Sequence, residues 1–249
     1  MPDNFAAYIS RLAGALTPAY TSPTLVPGHD VTHVLRMIGR APEITNLPGL
    51  NQDELVTAIW LHNMDRAPDL GVGLDELEKA SWNYLEESPF DNAARQRIAI
   101  AAGRHHEKLA QPDDSDVLTA LRVLDRIDRM NALGVLSAAT NHGRDKPLYV
   151  IRDPFRYVLA DDGQPYSVYD DIAGRIMEFP LMIEPSMRYL IDVQGMRDLV
   201  DYTRTLATHI CRMHNLENGV EQDLLKALGP QLYDEYANPL HIWLCDGPS

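Results

Sequence analysis

Cysteine is nearly missing from this chain: Cys211 and Cys245 are the only two in 249 residues, far apart and without a CxxC pairing. This argues against a disulfide framework or a thiolate zinc site and fits a reducing cytoplasm. Positive charge is scarce too, with 22 Lys and Arg against 36 Asp and Glu and a formal net charge of −14. Such a molecule repels polyanions, so no nucleic acid polymer is expected as a partner, though a local basic pocket is compatible with the total. No window reaches the roughly 18 apolar residues of a membrane span. The opening "MPDNFAAYIS" has no basic segment leading into an apolar one, so a cytoplasmic protein without a membrane partner is expected. Neither GxxxxGK(S/T) nor GxGxxG occurs, which argues against a P-loop enzyme or a dehydrogenase. Sustained period-2 alternation is lacking as well.

What is present is apolar spacing at helical period in almost every segment, which predicts an all-α fold. With 45% hydrophobic residues, the chain can bury one large core, read here as a single domain over 1–249. Its core spans about 27–140, followed by a loop or lid over 141–169 and a helical C-terminal extension over 170–249. Asp30 is placed to cap "VTHVLRMIGR" and Asp53 to cap "ELVTAIWLHNM". A peripheral helix is expected from Leu74 to Glu87. Asp91 opens "NAARQRIAIAAGRHHEK", and the region of Asp114 and Ser115 opens "VLTALRVLDRIDRMNALGVLSAAT".

Polar residues on these helices carry the chemistry. Leu55, Ile59 and His62 share one stripe, as do Leu118, Leu121 and Asp125, with Asp128 one turn on. Ile98, Ala102 and His105 line a third face, with His106 beside it, and His33 sits just inside the helix that Asp30 opens. Taken singly, each has a bland reading: a hydrogen-bonded core histidine, or a buried salt bridge from Asp125 to an arginine such as Arg36. Four separate segments with an inward His or Asp point instead to one metal site. Imidazole and carboxylate ligands without cysteine suit a divalent Mn, Fe, Ni, Zn or Mg ion.

The order "HDVTHVLRM", "AIWLHNMDR", "AAGRHHEK", "LDRIDRMNALGVL" resembles the HD-domain metal-dependent phosphohydrolases. It is similar in particular to small bacterial members that act on nucleotides. The likeness covers about Pro27 to Ala139, and the last element follows the family's A-D-R-L-D segment almost position by position, with Asn131 in place of a glycine. The resemblance implies an HD-like helical bundle with His33, His62 and Asp125 as metal ligands and position 63 as the fourth. Where the family has aspartate this chain has Asn63, so two charged ligands fall to one. Metal affinity and the acidity of bound water should be lower than in a complete HD dyad.

Metal-assisted hydrolysis of a small anionic phosphate-containing substrate is the implied activity. Asp65, His105, His106 and Arg66 are candidate catalytic groups, although the i, i+2 offset of Asp65 from Asn63 turns it away from the site. Arg36, Lys108, Asp128, Arg144 and Lys146 are candidate substrate contacts. Three function classes follow: a phosphohydrolase, a ligand-binding module that kept the fold and lost the chemistry, and an HD-fold di-iron oxygenase. A homodimer is compatible with each.

Overall fold

A computed structural model describes residues 2–26, 28–107, 111–128, 158–159, 165–166, 184–202 and 205. Helix α1 covers Pro2–Tyr20, α2 Val31–Arg40, α3 Gln52–Leu61, α4 Leu77–Leu85, α5 Asn92–Arg104 and α6 Asp116–Asp128. Residues 193–202 are also helical. Besides an isolated bridge between Ile44 and Leu190, the described strands are β1 (Val158–Leu159) and β2 (Pro165–Tyr166), which pair antiparallel with Val158 opposite Tyr166. The fold is therefore all-α, as the spacing predicts. No described helix is long and apolar enough to cross a membrane.

Local chemistry sets the helix starts. Asp30, in an extended conformation, accepts the His33 backbone N–H. Asp91 accepts that of Ala94 at 2.8 Å, and the Ser115 hydroxyl accepts that of Leu118 at 3.2 Å. At α3 the cap is Asn51, which accepts from the backbone N–H groups of Asp53 and Glu54; Asp53 is two residues too late to cap. It lies instead in the first turn, where a negative side chain complements the helix dipole. Helix α1 escapes the sequence reading, yet Tyr8, Leu12, Leu16 and Tyr20 recur every four residues and are all buried, a plain amphipathic stripe.

Helix α5 is central, packing against α3, α4 and α6. The expected peripheral helix over 74–87 is a 3-10 turn followed by α4, which buries Leu77, Ser81 and Leu85. It meets α5 at Gly103, where a Cβ would stand 2.8 Å from Glu78 Cβ, so the lack of a side chain permits the close approach. Across α3 and α5 the buried Glu54 carboxylate takes both prongs of Arg97, at 2.6 and 2.9 Å. Helix α6 is buried nearly all round: only Asp116, Thr119 and Arg126 are partly open. An inward position for Asp125 thus follows from the whole helix being internal, not from one stripe.

Candidate metal centre

The site begins where α3 ends. The last carbonyls of a helix lack intrahelical partners, and here His62 Nδ1 donates to the Ile59 carbonyl at 2.6 Å while the Tyr20 hydroxyl donates to that of Trp60 at 2.7 Å. With its Nδ1 hydrogen so committed, a neutral His62 carries its lone pair on Nε2. Burial, together with the neighbouring His105 and His33, pushes the His62 pKa well below the ordinary histidine value. The ring stays neutral and can ligate.

His33, in the first turn of α2, donates from Nδ1 to Asp128 Oδ2 at 2.7 Å. Its Nε2 then faces His62 Nε2 at 3.3 Å and Asp125 Oδ1 at 3.5 Å. One ligand atom each from His33, His62 and Asp125 lies within 4.8 Å of the others, and all three residues are buried. These residues form a group able to hold a metal ion. Helices α3 and α5 both end here, and the partial negative charge of a helix C-terminus favours a cation.

His105, at the C-terminal end of α5, copies the His62 arrangement by donating from Nδ1 to the Ala102 carbonyl at 2.7 Å. Its ring centroid is 5.0 Å from that of His62. The imidazoles continue as a row, with His29 6.3 Å from His33 and His106 5.8 Å from His105. His29 is half-buried and His106 is exposed. His105 therefore lies beside the three-residue group, while His106 sits at its solvent edge.

Asn63 leaves the helix with φ −111° and ψ 18° and is 1% exposed. Its Nδ2 has no hydrogen-bond partner among the described residues. A buried amide N–H left unpaired costs roughly 1–3 kcal/mol. Turned by half a rotation, the same amide sets a carbonyl oxygen in that place. The donor set of two imidazoles and one carboxylate fits a divalent ion.

Other candidates fall differently. Asp128, expected to touch substrate, is 3% exposed. Both of its oxygens are used inside the protein: Oδ2 by His33 and by Arg36, Oδ1 by Arg36. Burial raises the Asp128 pKa, but the Arg36 and His33 hydrogen bonds outweigh it and hold the carboxyl below its usual range. Arg36 therefore directs its fork at Asp128, not at a ligand, and the salt bridge considered for Asp125 forms three residues later. Asp65 and Arg66 pair with each other at 3.0 Å, the Asp65 side chain buried and that of Arg66 39% exposed. The helical offset that should turn Asp65 away does not apply, because residues 64–66 form a 3-10 turn beyond α3. Lys108, Arg144 and Lys146, with most of the 141–169 lid, lie outside the described residues.

One structural group escapes the sequence reading. Arg122, buried in α6, donates to the Arg104 carbonyl at 2.9 Å and to Glu107 at 3.1 Å, and it pairs with the buried Asp114. It thereby closes the end of α5 next to His105. Its signal in the sequence was an arginine inside an apolar helix.

No family model and no curated protein matches the sequence. The fold is similar to that of a Lactobacillus plantarum protein whose crystal structure was solved as a structural genomics target. The TM-score is 0.60 and the identity 13%, over 87% of this chain and 97% of that one. At that identity the likeness speaks to the fold alone.

Proposed function

We propose that the chain is a metal-dependent phosphohydrolase of the HD type, acting on a nucleotide or another small phosphate ester. The observation that carries this reading is convergence: the His33, His62 and Asp125 ligand atoms gather within 4.8 Å from segments up to 92 residues apart in sequence. They are the residues that the motif order selects. His33, His62 and Asp125 would hold the ion, with the Asn63 amide as a neutral fourth donor. Manganese, iron, nickel, zinc or magnesium suits the set. A bound ion supplies Lewis acidity to a phosphoryl oxygen and lowers the pKa of water.

The chain's own groups do the rest. Arg66, partly exposed beside the Asn63 turn, retains guanidinium N–H groups for an anionic oxygen. His105, with its Nδ1 hydrogen given to the Ala102 carbonyl, would accept a proton through Nε2 as the neutral ring, and would hold a phosphate or hand a proton to a leaving group only as the imidazolium.

The test is a turnover screen of manganese-loaded protein against nucleoside mono-, di- and triphosphates and p-nitrophenyl phosphate, with His62→Ala and Asp125→Ala in parallel. Hydrolysis by the parent, lost in both variants, is expected; no turnover on any substrate overturns the reading. Asn63 favours a second reading, a ligand-binding module without chemistry. The same screen identifies it through nucleotide binding without hydrolysis. The missing bridging aspartate makes a di-iron oxygenase the least supported of the three classes.

A further inference from the structure

We infer that Asp128, gripped by Arg36, is the positioning residue that fixes the ring orientation and tautomer of His33, so that Nε2 is the atom offered to the ion. This rests on His33 being a ligand, as proposed above.

The geometry is a closed circuit of hydrogen bonds. His33 Nδ1 donates to Asp128 Oδ2 at 2.7 Å. Arg36 Nε and one terminal nitrogen donate to the two Asp128 oxygens at 2.8 and 2.7 Å. The other terminal nitrogen donates to the Thr32 hydroxyl at 3.0 Å. That hydroxyl donates to Asp30 Oδ1 at 2.5 Å, and Asp30 Oδ1 accepts the His33 backbone N–H at 3.0 Å. Asp30, Thr32, His33 and Arg36 belong to the "HDVTHVLR" stretch; Asp128 comes from the far end of α6. The circuit thus locks the start of α2 to α6 and leaves the His33 ring one orientation.

The chemistry follows from the donors. A carboxylate only accepts, so a hydrogen must sit on Nδ1 and the lone pair of a neutral His33 must sit on Nε2. Ligating histidines commonly hand their second N–H to a carboxylate in this way, and losing that partner typically costs about 10–100-fold in metal affinity. The planar Arg36 fork matches the carboxylate plane, so it sets the direction from which Oδ2 meets His33. An asparagine at 128 keeps the volume but can present its NH₂ to Nδ1, which forces the opposite tautomer, an effect known from serine-protease triads.

The experiment uses the full chain as parent, Asp128→Asn and Arg36→Lys. Zinc affinity is read by competition with a chromophoric chelator, and the His33 tautomer by ¹⁵N–¹H correlation in metal-free protein. The parent is expected to carry its hydrogen on His33 Nδ1. In Asp128→Asn that signature should be lost and zinc binding weakened about 10–100-fold; Arg36→Lys should weaken zinc binding less and keep the Nδ1 signature. If Asp128→Asn keeps both the signature and parental affinity, the inference is overturned. Parental affinity in Arg36→Lys overturns the part assigned to Arg36. If the parent binds no zinc, the metal reading fails, and the tautomer comparison still decides what Asp128 does. If Asp128→Asn does not fold, the parent decides: a hydrogen on His33 Nδ1 upholds the inference and one on Nε2 of the neutral ring overturns it.

Discussion

His33 Nε2 and His62 Nε2 stand 3.3 Å apart, although each ring has its other nitrogen committed as a donor. Two lone pairs do not rest against each other at that distance; a proton or a cation has to lie between them. Two ligands about 2.0–2.1 Å from a shared ion are about 2.9–3.4 Å apart at octahedral or tetrahedral angles. The pair already has the spacing of two ligands on one ion, with Asp125 Oδ1 3.5 Å from His33 Nε2.

A bound ion ties α2, α3 and α6 together and binds only the folded chain, so it should raise stability. Manganese at about a hundred times its Kd should contribute roughly 2.7 kcal/mol, or about 5–10 °C in Tm for a chain of this length. Thermal unfolding with manganese and with a chelator measures it. Coincident curves would speak against an ion within the fold.

Asn63→Asp should act with opposite sign in the two states. Without metal it places a further charge in a buried, already acidic site and lowers Tm. With metal it removes the unpaired amide N–H, restores an anionic ligand, and should tighten manganese binding about tenfold or more. Unfolding and titration calorimetry on one preparation give both signs. A variant unchanged in both would place position 63 outside the ligand set.

Acid should destabilise the metal-free protein in a defined window. The folded-state pKa of His62 lies well below the ordinary 6.5, so the unfolded chain takes up the proton first. The contribution is complete above about 6.5 and is lost as pH falls below that value. Urea midpoints in chelator should therefore drop between pH 7.5 and 5.5, with a smaller drop in His62→Gln. Equal drops in parent and variant would show that His62 is not held neutral.

Arg122→Ala should cost about 3 kcal/mol in urea unfolding, because it leaves the buried Asp114 carboxylate with one of its two cations, Arg104 at 3.3 Å, and the Arg104 carbonyl short of a donor. A change under about 0.5 kcal/mol, the scale of an ordinary surface substitution, would contradict the role given to the network.

Much of this was legible in the sequence because caps and stripes are local. Asp30 and Asp91 cap where expected, and His62 lies at the end of α3 in an apolar run. The hydrogen-bond partner of His33, which alone reads as a core histidine, was not legible from its own helix: it is Asp128, 95 residues away. The same distance hides the Arg36 partner: spacing shows that an arginine lies near a motif, not which carboxylate its fork meets. Asp53 was expected to cap α3, but Asn51, an equally good cap two residues earlier, takes that place through its backbone geometry.

Metal content tests the central claim most directly. The parent, His33→Ala and Asp125→Ala are loaded with manganese, dialysed, checked for folding by circular dichroism and analysed for elements. The account predicts about one ion per chain in the parent and background levels in both variants. A folded parent that retains no more manganese than the variants would contradict it.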